Sequence, residues 1–197
     1  AYLLTGSPGS GKRLIADTFA KTLQCEESGT EPCGHCRSCS AFDSGNHPDI
    51  VYVRPTKKTL GVDDVREQIL EDVSLKQYRY RYKIYIVEQA DTMTVQAQNA
   101  LLKTLEEPPH HALFILATTE KHKVLPTILS RCQIYDFSRI SIADMVEHLE
   151  YVSSCEGVTA EPEALNVIAQ KADGGMRDAL SIFDQVVSFT NGNITYQ

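Results

Sequence analysis

The chain has 197 residues, 42% of them hydrophobic and 23% charged, with a net charge of −7. That length suits one large domain or a medium domain with a small one, and the composition excludes a wholly disordered chain. The acidic surplus argues against a free-standing nucleic-acid binder, whose affinity rests on Lys and Arg set against phosphates. Lys57-Lys58 and Arg79-Tyr80-Arg81 are short basic runs that read as solvated surface. No apolar run approaches the roughly 20 residues that span a bilayer. Ala1 to Gly6 carries no basic leader and no long apolar core, so no signal peptide is read and a cytoplasmic protein is expected. The chain starts without methionine inside an apparent strand, which suggests a fragment of a longer protein.

In chain order, Tyr2 to Thr5 reads as a strand, a Gly-rich turn follows, and Lys12 to Leu23 reads as a helix. Ile50 to Val53 is the next strand, and Val62 to Val73 has apolar residues at helical spacing. Lys83 to Val87 is a strand; Val95 to Glu106 is a helix stopped by Pro108-Pro109. Leu113 to Ala117 and Gln133 to Phe137 complete five strands. Three of the runs are almost continuously apolar, as parallel strands buried on both faces require. Strand–helix alternation predicts a doubly wound α/β domain with ligands at the carboxyl ends of its strands. Beyond Arg139 the pattern turns all-helical. Ser141 and Asp144 frame a capping box before Met145 to Ser154, Pro162 opens a helix to Lys171, and Met176 to Phe189 follows Gly174-Gly175 and stops near Asn191-Gly192. The expected division is an α/β core over 1–138, with a cysteine insert at 25–39, and a helical domain over 139–197.

The turn Gly6-Ser7-Pro8-Gly9-Ser10-Gly11-Lys12-Arg13 fits the phosphate-binding pattern G-x-x-x-x-G-K-[ST] except at its last position. Its glycines let backbone N–H groups cradle phosphate oxygens, the helix start adds positive charge, and Lys12 would reach the β- and γ-phosphates. Arg13 stands where a hydroxyl normally helps hold Mg²⁺, and a guanidinium cannot ligate a metal. The bland alternative is a turn that merely joins strand to helix. At the end of the third strand, Glu88 and Gln89 fill the positions that nucleotide hydrolases give to a metal-facing Asp and a water-activating Glu. Gln89 cannot accept a proton, and losing such a base costs about 10²–10⁴ in rate. Two departures at the two metal-facing positions predict a degenerate hydrolysis site; two polar residues capping a strand are the alternative.

Four of the six Cys cluster as Cys25, Cys33, Cys36 and Cys39, with interlocking C-x-x-C steps. Such turns bring thiolates onto one tetrahedral ion, and a closed Cys₄ shell makes the zinc structural. His35 is a competing ligand, and a disulfide pair or free thiols are the alternatives. Cys132 and Cys155 read as small core residues.

Together these landmarks resemble the bacterial DNA polymerase III clamp-loader subunits, gamma/tau and delta-prime, of the AAA+ class. The resemblance covers nearly the whole chain. Besides the loop and the Cys₄ insert it rests on Asn99 to Pro109, Ala117-Thr118-Thr119, Ser130-Arg131-Cys132 and Gly174 to Leu180. It implies a P-loop AAA+ parallel sheet with a three-helix lid. It implies a hetero-oligomeric, pentameric ring with other clamp-loader subunits, which acts on the sliding clamp and primed DNA. Arg131 then looks like an arginine finger reaching ATP on a neighbour, Thr118 or Thr119 like a sensor beside the γ-phosphate, and Arg177 like a second sensor. Surface ion pairs are the alternatives for the arginines, with Asp178 or Asp173 as the partner of Arg177. Residues up to about Lys83, with Asn46 to Asp49 and Gly61 to Arg66, look more like delta-prime; those from about Asn99 look more like gamma/tau. The family's upstream adenine-holding segment and C-terminal collar are not in the sequence, which implies weaker binding than in a parent protein.

The leading expectation is a delta-prime-like subunit that supplies Arg131 and hydrolyses little ATP itself. The alternative is a gamma/tau motor. A zinc-dependent nucleic-acid module is a third, disfavoured by the acidic charge and the absence of aromatics clustered on basic ground. A small-molecule P-loop kinase would need neither Ser130-Arg131-Cys132 nor the Cys₄ insert.

Overall fold

The computed structural model describes residues 1–27, 29–190 and 192–196, so the predicted stop at Asn191 lies outside them. Contacts divide the chain into two units, Ala1–Thr5 with Lys12–Asp136, and Gly6–Gly11 with Phe137–Gln197.

The first unit runs through β1 (Tyr2–Gly6), α1 (Lys12–Gln24), α2 (Arg37–Asp43), β2 (Ile50–Val53), α3 (Val62–Val65), β3 (Lys83–Val87), α4 (Val95–Glu106), β4 (Ala112–Thr118), α5 (Pro126–Leu129) and β5 (Gln133–Phe137). The strands form one sheet in the order β2-β3-β4-β1-β5. β2 pairs parallel with β3, β3 with β4 and β4 with β1, with Ile50 opposite Ile84, Tyr85 opposite Phe114 and Leu3 opposite Leu116. This parallel register brings the ends of β1, β3 and β4 to one edge, where Glu88 and Thr118 stand.

Every residue of β3 is buried, as the apolar run Ile84 to Val87 predicts for all but Lys83. Leu3, Tyr85, Val87, Phe114 and Leu116 share a core with Ile69, Leu101 and Ile128. Ile84, Ile86 and Ile115 alternate to the other face and are buried too. α4 has the predicted bounds. The Thr94 hydroxyl caps it by accepting from Ala97 N–H at 3.2 Å, and Ala97, Leu101 and Leu105 recur on its buried face. Buried Gln98 accepts from Leu125 N–H at 2.7 Å and donates to the Lys123 carbonyl at 3.0 Å, which ties down the loop after β4.

The predicted helix Val62 to Val73 changes character midway. α3 ends at Val65, and Arg66–Leu70 widens into a π turn in which Glu71 N–H donates to the Arg66 carbonyl at 3.0 Å. Buried Val65, Ile69 and Val73 recur every fourth residue. An α-helix would rotate that row by about 40° per step, and the wider turn keeps it on the core. Asp49, fully buried before β2, accepts from Arg79 and Tyr80 N–H at 2.9 and 2.8 Å. It thereby orders the approach to β3.

In the second unit, α6 (Ile142–Glu156), α7 (Pro162–Lys171) and α8 (Met176–Thr190) pack Met145, Leu149, Leu165, Ile168 and Phe183 into a separate core. Ser141 caps α6, its hydroxyl accepting from Asp144 N–H at 3.1 Å. The region is not wholly helical. β6 (Thr159–Ala160) pairs parallel with β7 (Asn193–Ile194), two short strands that period-based reading passes over because two residues show no alternation. Cys155 is exposed, a correction to its reading as core: α6 turns Met145, Leu149 and Ser153 inward instead. Cys132 is half-buried.

Candidate nucleotide site and cysteine centre

The four clustered cysteines converge. Cys25 follows α1, and Cys36 caps α2, its sulfur accepting from Cys39 N–H at 3.4 Å. The four sulfurs lie within 4.8 Å of one another, with Cys33 and Cys39 4.0 Å apart. Tetrahedral zinc with thiolate bonds near 2.3 Å spaces its ligands by about 3.8 Å, so the set fits that ion. Burial raises the Cys36 thiol, but N–H bonds from Cys39 and Glu26, joined by the Cys39 and Cys33 sulfurs, together bring it down to about 6. Burial, reinforced by the neighbouring thiols, pushes Cys39 up to about 12. A cation at the centre is what would let all four ionise together. His35 instead meets Glu27 at 2.8 Å and the Cys33 carbonyl at 2.9 Å. Glu27, Cys33 and His35 form an overlapping but exposed second group. None of the six cysteines is in a disulfide.

At the start of α1, Lys12 is buried and Arg13 half-exposed. Arg13 donates to Glu88 Oε2 at 2.6 Å, and its Nε reaches Asp17 Oδ2 at 3.4 Å. Arg54 donates to the other oxygen, Glu88 Oε1, at 3.3 Å. Both guanidiniums stand over the Tyr52 ring, 5.4 and 5.5 Å from its centre. The Tyr52 hydroxyl donates to Asp17 Oδ1 at 2.9 Å; burial, then this bond, push it up to about 12. Gln89 is exposed, and its carbonyl accepts from Thr92 N–H and hydroxyl at 2.9 and 2.8 Å.

Of the two candidate sensor threonines, Thr118 is buried and its hydroxyl donates to Asp91 Oδ1 at 2.7 Å, while Thr119 is exposed and offers Asp91 its N–H at 3.2 Å. Arg131 follows α5. It donates to the Thr127 carbonyl at 2.9 Å and to Glu106 Oε1, at the end of α4, at 2.5 Å.

The Gly-rich loop Gly6–Gly11 belongs to the second unit. Gly9 has φ +73°, and a Cβ there would stand 3.1 Å from Gly175 Cα and 3.7 Å from Cβ of Arg177. Glycine at both 9 and 175 thus permits the close approach of the loop to the start of α8, and brings exposed Arg177 beside it. Asp173 pairs with Arg139, not with Arg177.

Sequence reading missed Asp17, Tyr52 and Arg54, which no spacing connects to the loop. It also passed over Asp91 and Glu106. The first is an acid three residues beyond Glu88, and the second lies inside the Asn99 to Pro109 stretch, so both had a signal.

The sheet, the loop before α1 and the polar strand end define a P-loop AAA+ fold. A mutant of Thermotoga maritima RuvB superposes with a TM-score of 0.66 over 99% of this chain and 59% of its own, at 15% identity, a likeness of fold alone. A Thermotoga maritima DNA polymerase III gamma subunit-related protein matches 75% of this chain and 44% of its own, with a TM-score of 0.53 and 27% identity. The family model described as DNA polymerase III, delta subunit matches residues 1–141, and the model of the clamp loader subunit ATPase lid domain matches 144–192. The chain belongs to this family of DNA polymerase III clamp-loader subunits. DNA polymerase III subunit tau of Bacillus subtilis is 43% identical over 96% of this chain, and that of Escherichia coli is 38% identical over all of it. The chain spans about a third of the length of these curated relatives, 34% and 30%. No helix among the described residues is long and apolar enough to cross a membrane.

Proposed function

We propose that this chain works in the cytoplasm within a clamp-loader assembly, supporting ATP-dependent loading of the sliding clamp onto primed DNA while hydrolysing little ATP itself. The observation that carries this reading is Arg13 seated on Glu88 beside Gln89: the hydroxyl, the short carboxylate and the general base of a hydrolysis site are all replaced. Gly6, Ser7, Pro8, Gly9, Ser10, Gly11 and Lys12 keep the residue types that bind phosphate. Arg131, held by Glu106 at the surface of its unit, suits an arginine offered to nucleotide on a neighbouring subunit. Thr118 or Thr119 and Arg177 would sense that state. Zinc in the Cys25, Cys33, Cys36 and Cys39 set would be structural, closing the segment 25–39. The functional division we propose is a core over 1–138 and a lid over 139–197.

Mg-ATP calorimetry followed by phosphate release on the same sample tests the reading. Little or no phosphate release is expected; brisk turnover overturns it. In a reconstituted assembly, Arg131→Ala should lower ATP turnover by about 10³-fold or more without lowering its own melting temperature. An active tau-like motor is the second reading, favoured by the tau relatives and by Arg177 beside Gly9. It requires turnover that Lys12→Ala abolishes.

A further inference from the structure

Divalent-cation chemistry on nucleotide phosphates uses a hydroxyl after the loop lysine and a carboxylate at the strand end, each with an oxygen open to the ion. Neither condition holds here. Arg13 has no metal-ligating atom. Both oxygens of Glu88 accept from guanidiniums, Oε2 from Arg13 at 2.6 Å and Oε1 from Arg54 at 3.3 Å. Asp17 and Tyr52 add further contacts to the cluster. Asp17 takes the Arg13 Nε, Tyr52 donates to Asp17, and both guanidiniums lie over the Tyr52 ring. Its two cations and two carboxylates neutralise one another. A divalent ion would have to break a short charge-assisted bond and then sit against two fixed positive groups. These residues do not fit Mg²⁺.

We infer that the Arg13 guanidinium, locked on Glu88, stands in the place of the divalent cation, so that this chain takes a nucleoside triphosphate as the metal-free polyanion. The inference rests on the nucleotide-binding part of the reading above and specifies the form of its ligand. The bonds to Glu88 and Asp17 use only part of the donor fork of Arg13, and the rest can meet phosphate oxygens, whose planar recognition suits guanidinium. Arg13 also directly follows the loop lysine in the first turn of a 13-residue helix, where an anion is favoured.

The test is calorimetric titration of ATP into the protein, once in EDTA and once in excess Mg²⁺. Binding tighter in EDTA by about tenfold or more is expected, because excess Mg²⁺ holds most of the ATP as its complex and leaves little metal-free polyanion; equal dissociation constants in the two buffers overturn the inference. Arg13→Gln should weaken ATP in EDTA by about tenfold or more with an unchanged melting temperature. The double substitution Arg13→Thr with Glu88→Asp should create a preference for Mg²⁺ of about tenfold or more. If the unaltered protein binds ATP only with Mg²⁺, the inference fails and nucleotide binding stands. If it binds ATP in neither buffer, the inference fails together with nucleotide binding, while the role of Arg131 in a neighbour's turnover is still read separately.

Discussion

The two ends of α1 lead to two polar centres built on opposite terms. The cysteine centre keeps a complete set of soft donors turned on one point. The Arg13–Glu88 cluster has a carboxylate where a metal ligand is expected, but its partner is a guanidinium of the same chain. Surroundings account for the difference. Among the described residues from Glu26 to Arg37 none is buried, so that segment has no core of its own, and an ion is what can hold it. Glu88 directly follows a strand buried at every position. The strand end needs no ion for its stability, so its charge can be balanced by an arginine. A cation that organises the chain demands all its ligands; one that serves only a ligand can be exchanged.

The contrast breaks most sharply at the cysteines. Cys39→Ser should take bound zinc from one ion per chain to none and abolish amide protection around residues 25–39, with β3 and β4 still protected. Structural zinc sites in small domains contribute about 10–16 kcal/mol of apparent binding. Zinc retained by the variant, measured by atomic absorption, would remove the cysteine side of the comparison.

A smaller effect is expected at the strand ends. Asp91→Ala leaves the buried Thr118 hydroxyl without its acceptor, at a cost of about 1–3 kcal/mol in urea denaturation. An unchanged midpoint would mean that water takes over the bond.

The smallest effect lies in the Arg13 cluster. The folded Tyr52 hydroxyl titrates near 12, above its ordinary value of 10.0. A group raised on folding contributes stability that is complete below its unfolded value and is lost as pH rises through the folded one. Between about pH 10 and 12 the unaltered protein should therefore lose stability that Tyr52→Phe does not lose. Parallel pH curves for the two proteins would show that Tyr52 does not brace the cluster.

Most of the fold was legible because its signals are local. Continuous apolar runs marked β3 and β4, four-residue spacing with a proline stop marked α4, and C-x-x-C steps marked the centre that the sulfurs form. The π turn at Arg66–Leu70 was not legible, since a row spaced by four fits both an α-helix and a helix widened to keep that row on the core. β6 and β7 were too short to carry a period. Arg13 and Glu88 were each visible as a departure from a motif, yet their bond was not, because 75 residues separate them.

From the sequence alone came the strand–helix alternation, the phosphate loop with its arginine, the Cys₄ set and the resemblance of family. These depend on residue type and short-range spacing, which chain geometry translates directly into helices, strands and turns. Only the tertiary structure decided that Arg13 and Arg54 share Glu88, that Glu106 holds Arg131, that Asp91 takes both threonines, and that Gly9 lies on Gly175. Hydrogen bonds, ion pairs and steric contacts act over a few ångströms, and only folding, with the parallel register foremost, brings such distant residues within that range.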